Sequence, residues 1–503
     1  MTRPLARLVT VIATATLAIT AAGCSSGTSG DSSTASSLSV GFVAEPANLD
    51  FTSTDGVAIP QALLVNVYEG LVKLDQDGKI VPLLAESWDI SPDRKTYTFH
   101  LRDNVTFTNG KKFTADDVVF SINRVKTDWK VSLKSAMDVV ANVEKKDDTT
   151  AVVTLTKPSN SWLYKMTTRI GAMFSRDGVA DLANKPVGTG PYKLDSWRRG
   201  DAITYSANDN YWGTKPKAGK VVLKYFKDAT ALNNALLTGG IDIISAVQAP
   251  ESIQQFSDTA KYEVIEGTTT GEVVLSFNNS KAPLNDKRVR QAIRYAIDHK
   301  ALLDTAWAGR GQLIGSMVPP TDPWYEDLTN LYPHDPAKAK ELLAQAGQTK
   351  LSLRLRIPNL PYAVASAQVV KSQLAAVGIT VEIEPLEFPA RWLDVVFKQA
   401  DYDMSIINHV EPRDITAVFG NPDYYLRYNN PKVQELFAKA DAGTEDEQVA
   451  AMKEAARIVA DDAAGDFLFL FPNLIVAKKG MTGLPKNLVS ESFDLSVLSP
   501  SEA

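Results

Sequence analysis

The sequence predicts an α/β protein with mixed sheets, on three observations. Strand-like and helix-like patterns alternate along nearly the whole chain, which favours packed layers of sheet and helix. No internal repeat or heptad pattern interrupts them. The length of 503 residues suits several domains at roughly 100–200 residues each.

Residues 38–43 open the body as a short β-prone run. Residues 58–74 read as a helix and its exit, with Leu63, Leu64, Val67 and Leu71 on one face and Gly70 weakening its end. Tyr97, Phe99 and Leu101 alternate with Thr98 and His100, the period of a half-buried strand. Phe107-Thr108-Asn109-Gly110 is a tight-turn signal. Thr114 follows as an N-cap with Asp117 three residues on, a variant of the capping box, ahead of the apolar stripe Val118, Val119, Ile122 and Val125. Residues 142–155 read as two strands about an Asp147-Asp148 turn, and residues 221–226 as another strand. Asp286 is placed to cap a helix with Val289, Ile293, Ala296 and Ile297 on one side. A helix over 336–346, a strand over 351–357, a helix over 363–377 and a strand over 380–384 follow. Residues 467–476 are a dense apolar run that fits a buried strand, with a buried helix left open by periodicity alone.

The composition, 44% hydrophobic and 22% charged with a net charge of -6, gives no concentrated basic surface, so nucleic acid is not an expected partner. Arg3 and Arg7 precede an apolar run over residues 8–22, shorter than the ~20 residues a spanning helix needs and suited to a secretory signal. The run closes on Ala21-Ala22-Gly23-Cys24, and Cys24 is the only cysteine, so no intrachain disulfide is possible. That tetrapeptide resembles a bacterial lipobox, which implies a signal peptide over 1–23 and lipid attachment at Cys24. The Ser/Gly-rich residues 24–37 then read as a flexible tether. Past residue 23 no apolar run is long enough to cross a bilayer.

Several further segments recur in order. Ala44-Glu45-Pro46-Ala47-Asn48-Leu49-Asp50 is followed by Val67-Tyr68-Glu69-Gly70-Leu71-Val72, Val81-Pro82-Leu83-Leu84-Ala85-Glu86-Ser87-Trp88 and Phe113-Thr114-Ala115-Asp116-Asp117-Val118. Gly188-Thr189-Gly190-Pro191-Tyr192 and Val289-Arg290-Gln291-Ala292-Ile293-Arg294-Tyr295-Ala296-Ile297-Asp298 come later. From about residue 38 to about residue 480 this order resembles family 5 of the bacterial extracellular solute-binding proteins, the peptide/opine/nickel class. Most of these residues also have plain structural roles: Gly188 and Gly190 allow a tight backbone path, residues 83–88 pack a core edge, and Arg290 and Arg294 are expected to pair with nearby acids.

The resemblance implies a multi-lobe periplasmic-binding-protein (Venus flytrap) fold with a hinge between lobes. Lobe I would comprise 38–77, 188–275 and 478–503, lobe II 78–187 and lobe III 276–477. It also implies a monomeric substrate-binding lipoprotein of an ABC importer, held extracytoplasmically at the cell surface or in a periplasm. Such a protein passes a small ligand, here expected to be a short peptide, to permease and ATPase subunits. An oligosaccharide, haem or a nickel chelate remains open as ligand, as does a surface receptor that senses without transport.

In relatives that bind peptides, an acid after a Tyr-Asp-Met-like strand pairs with the ligand's α-amino group. Here Tyr402-Asp403-Met404 leads to Asn408, His409, Glu411, Arg413 and Asp414. Glu411 and Asp414 are therefore the candidate amine partners, since paired charges in a dry cleft make strong hydrogen bonds. Arg413 fits a ligand carboxylate or its acidic neighbours, while Asn408 and His409 are further candidate contacts. Trp392 and Tyr362 are candidates for an apolar subsite. The same loop charges also fit a solvated cluster, and the aromatic residues a core.

Catalysis finds no footing. Gly-x-Ser-x-Gly and His-Glu-x-x-His are absent. The four histidines, His100, His299, His334 and His409, are scattered. Gly213 and Gly219 enclose five residues where a P-loop has four, and Val221 replaces its Ser/Thr. No catalytic residue, metal ligand set or cofactor is expected.

Overall fold

The computed structural model describes residues 36–54 and 56–500. The expected signal peptide over 1–23, Cys24 and all but the end of the expected tether lie outside the described residues. The body is α/β, and its main feature is a ten-stranded mixed sheet. At one end Ser37–Phe42 lies parallel to both Lys220–Tyr225 and Ile243–Ile244. Ala202–Ala207 and Tyr192–Arg198 continue that edge antiparallel. At the other end Leu351–Pro358 runs parallel between Ile379–Leu386 and Met404–His409.

Two long strands join these ends. Tyr262–Phe277 and Gly465–Lys478 pair antiparallel over most of their length. Ile243–Ile244 meets the latter at Val476 and Ala477, whereas Met404–His409 meets the former at residues 272–277. Sixteen residues at ~3.3 Å each reach about 50 Å. The ladder shifts register between Thr268 and Glu272 and again at Val273/Val274, and such irregularities bend and twist a strand pair. Beyond them, Val273, Leu275 and Phe277 enter one apolar core and Val274 another, as the two-residue period of a strand requires. The apolar run at 467–476 is thus a strand, and the helix alternative falls.

A separate four-stranded antiparallel sheet is built from Ala85–Ile90, Thr96–Leu101, Thr150–Leu155 and Val140–Asp147, in that spatial order. Helix Ala115–Asp128 packs against it. Its start carries the expected capping box, with the Thr114 N–H donating to the Asp117 carboxylate at 2.9 Å. The 107–110 turn closes with the Gly110 N–H on the Phe107 carbonyl, Gly110 taking φ of 82°. The core here stacks Phe51, Tyr68, Trp129 and Phe174, with ring centroids 5.0–6.4 Å apart.

Two local expectations are corrected. The helix expected over 58–74 ends at Leu63. Val65 takes a left-handed φ of 58°, and the Asn66 amide donates to both the Ala62 and Phe493 carbonyls. A long-range tie to residue 493 therefore overrides the helical pattern, and Val72–Leu74 becomes a strand against Ile80–Pro82. Arg294 does pair with an acid, Asp466, at 3.1 Å. Arg290 instead donates to the carbonyls of Ala463, Leu284 and Asp462 at 2.8–2.9 Å.

Candidate ligand-binding site

Met404–His409 delivers its C-terminal end to a loop over 410–414 that turns into helix Ile415–Gly420. Arg413 sits in that loop with φ of 59°, which turns its side chain toward helix Asn160–Lys165. Its guanidinium lies 3.8 Å from the Tyr164 ring centroid and 4.7 Å from that of Trp324, and its Nε donates to Asp322 Oδ1 at 3.0 Å. Burial pushes the Asp322 carboxyl up, and the Arg413 charge opposes that push.

Behind the loop lies a buried relay. His409 Nδ1 is 3.2 Å from Asp414 Oδ2, and Nε2 is 3.1 Å from the Tyr425 hydroxyl. A carboxylate only accepts, so the ring donates from Nδ1 to Asp414, while Nε2 and the Tyr425 hydroxyl share the second hydrogen bond. The Tyr425 hydroxyl also meets Ser276 Oγ at 2.7 Å, and burial holds its proton well above the ordinary phenol range. Glu272 stands opposite His409 in the sheet. Among the described residues Glu272 Oε2, Asp414 Oδ1 and Trp324 Nε1 are buried without a hydrogen-bond partner, each at a typical cost of ~1–3 kcal/mol.

A cavity of about 350 Å³ opens on this cluster, lined among others by Tyr164, Lys165, Trp324, Glu411, Arg413 and Asp414. A second of about 950 Å³ shares Ser161, Lys165, Glu411, Ala417 and Asp441 with it and extends to Asn421 and Tyr424. One side of this cleft belongs to the segment carrying the four-stranded sheet, the other to residues 411–452. Hydrogen bonds tie the two sides. Ser159 Oγ and the Ser161 N–H donate to Asp441 at 2.9–3.0 Å, and the Asn160 amide donates to the Ala440 and Gly443 carbonyls at 2.8–2.9 Å.

The structure brings Glu411, Arg413 and Asp414 to the cleft wall, with His409 behind them. Asn408, Tyr362 and Trp392 sit elsewhere. The Asn408 N–H donates to the Tyr362 hydroxyl at 3.0 Å, Tyr362 packs edge-on against Phe471, and Trp392 Nε1 donates to Ser405 Oγ at 3.1 Å. Sequence reasoning missed Tyr164, Lys165, Glu272, Asp322, Trp324 and Asp441. They come from four separate stretches of chain, and no local motif marks them. Among the described residues no group of three or more His, Cys, Asp or Glu side chains is arranged to hold a metal ion, and no helix is long and apolar enough to cross a membrane.

The family model for bacterial extracellular solute-binding proteins, family 5, matches residues 79–449. The chain belongs to that family. Among family 5 relatives, haem-binding protein A of Haemophilus influenzae is 29% identical over 456 residues, spanning 79% of this chain and 80% of that protein. The dipeptide-binding protein of Escherichia coli is 31% identical over 344 residues, spanning 62% and 64%. The structure of the periplasmic binding protein DppA from Helicobacter pylori in complex with the peptide STSA superposes with a TM-score of 0.78 at 25% identity, covering 93% of this chain and 98% of that one. The α/β body is therefore a periplasmic-binding-protein fold, and the family 5 assignment makes the chain a solute-binding protein.

Proposed function

We propose that this family 5 protein captures short peptides with a free amino terminus in the cleft between Tyr164 and Arg413 and hands them to the permease and ATPase of an ABC importer. The supporting observation is the orphaned polar set at the cleft. Asp414 Oδ1 and Trp324 Nε1 are a buried acceptor and donor without partners, and Asp414 and Trp324 line the same cavity. An ammonium group on Asp414, backed by Glu411, and a ligand carbonyl on Trp324 would satisfy both atoms. Arg413 then acts as wall and latch, since Asp322 already holds it.

In this reading the lobes are 38–77 with 188–275 and 478–503 (lobe I), 78–187 (lobe II) and 276–477 (lobe III), and the ligand lies between II and III. The strand pair 262–277 and 465–478 supplies the hinge, of the kind that closes periplasmic binding proteins. The protein works as a non-enzymatic monomer, anchored by lipid on Cys24. Relatives named for dipeptide and peptide ligands support the substrate class.

Native mass spectrometry of the purified protein, followed by denaturing release, tests it. A ladder of short peptides is expected. Release of a sugar, haem or metal chelate would overturn the peptide assignment.

A further inference from the structure

The hydrogen bonds between the two walls of the cleft form a reciprocal set. Asp441 lies in the last turn of helix Pro431–Ala442. Its carboxylate crosses to the start of helix Asn160–Lys165, where it accepts from the Ser161 N–H at 2.9 Å and from the N-cap hydroxyl, Ser159 Oγ, at 3.0 Å. Asn160 works in the opposite direction. Its amide donates to the Ala440 and Gly443 carbonyls at 2.8 and 2.9 Å, both at the end of the helix that carries Asp441. Helix ends leave such carbonyls without an internal partner. The Thr444 N–H, which a longer helix would turn back to Ala440, is taken by Glu447. The Asn160 amide is aimed from behind: Arg94 donates to its Oδ1, so both of its N–H groups are left for the other wall. Ser161 and Asp441 line both cavities, which puts these contacts in the cleft itself.

We propose that residues 159–161 and 440–443 form an interlobe clasp, which populates the closed form of the empty protein and slows the escape of a bound peptide. This rests on the two walls belonging to the lobes, 78–187 and 276–477, that part in the proposed function. Every donor and acceptor in the clasp belongs to the protein, so it stabilises closure whatever the ligand. Where the closed form is the one that holds ligand, apparent affinity scales with the closed fraction. The clasp is also built to open. Ser161 is exposed, and Asn160 and Asp441 are half-buried, so water replaces each hydrogen bond as the walls part. No buried charge is stranded, and the net cost of release stays small.

Small-angle X-ray scattering of the ligand-free protein, together with titration of trialanine, tests the clasp. Without peptide, Asn160→Ala/Asp441→Ala is expected to scatter with a larger radius of gyration than wild type. It should also bind trialanine about tenfold more weakly, with the loss seen as faster dissociation. Asp441→Asn keeps an oxygen for the Ser161 N–H. It should fall between the two in both readings, and it serves as the test if the double variant does not fold. Equal ligand-free scattering from wild type and variant overturns the clasp. Weaker binding with equal scattering would make Asp441 a direct ligand contact instead. Neither result touches the peptide assignment. No binding of trialanine or of a pool of unblocked di- to pentapeptides overturns that assignment, and the ligand-free scattering then decides the clasp by itself.

Discussion

The guanidinium of Arg413 lies 3.8 Å above the ring of Tyr164 while its Nε donates to Asp322 at 3.0 Å, so one side chain links the two walls of the cleft. The Asp322 side chain is 8% exposed. Removing Arg413 would strand that carboxylate, and breaking a buried pair from one side typically costs ~3–5 kcal/mol. Arg413→Ala should lose about that much in urea unfolding, and the double variant Arg413→Ala/Asp322→Asn should recover a good part of it. Equal losses in the single and double variants would show that the ion pair does not act as a unit.

A second latch is made by backbone alone. A Cβ on Gly188 would sit 1.8 Å from the Val67 carbonyl oxygen, and main chain has no rotamer with which to yield. Overpacking of this kind costs ~1–3 kcal/mol and sometimes more. Gly188→Ala should therefore unfold at lower urea by at least that amount, and an unchanged midpoint would mean the two segments separate freely.

Gly188 also shows what can be read from a chain without coordinates. That the Gly-Thr-Gly-Pro segment needs a tight path is a local property. Its partner, Val67, lies more than a hundred residues earlier, and nothing local announces it. The same division runs through the fold. The Thr114 cap, the 107–110 turn and the alternating strand at 96–101 follow from short-range rules, and all are present. The helix over 58–74 fails because Asn66 answers to Phe493. At the cleft, Glu411, Arg413 and Asp414 were expected from the family resemblance at the Tyr402-Asp403-Met404 segment, and the structure places them together on one wall. Glu272 was not, since before an apolar run it reads as a solvated strand end. Only the sheet register turns it inward against His409.

Glu69 is a buried acid of a different kind. It accepts from Thr189 Oγ1 at 2.8 Å and from the Tyr211 hydroxyl and Trp212 Nε1 at 2.9 Å. Burial outweighs these donors and pushes its carboxyl up to about 7 from 4.5. Between those values the native state holds a proton that the unfolded chain has released, so stability falls as pH rises from about 4.5 to about 7 and then levels off. At 1.36 kcal/mol per pH unit the loss is about 3 kcal/mol. Glu69→Gln does not titrate. Its stability relative to wild type should climb by up to that amount between pH 4.5 and 8 in urea melts, and a pH-independent difference would show that Glu69 is ionised throughout.

Cys24 lies outside the described residues, and its role rests on the Ala21-Ala22-Gly23-Cys24 motif. Cys24→Ala should move the protein from the membrane to the soluble fraction and abolish incorporation of labelled fatty acid. Label that persists in the variant would remove the thiol from the attachment chemistry.

Asp414 carries the proposed contact with the ligand, and its surroundings allow a clean substitution. One of its oxygens accepts from His409 at 3.2 Å and the other has no partner. Asp414→Asn preserves the shape and, with its carbonyl turned to His409, that hydrogen bond, while removing the charge. A charge-assisted contact is worth roughly twice a neutral one, so affinity for an unblocked peptide should fall by ~1–3 kcal/mol. The more exposed Glu411→Gln should cost less, because solvent screens its charge. Calorimetry of both variants with the same peptide checks both outcomes. Unchanged affinity in Asp414→Asn and Glu411→Gln together would move the amino terminus of the ligand away from this wall of the cleft.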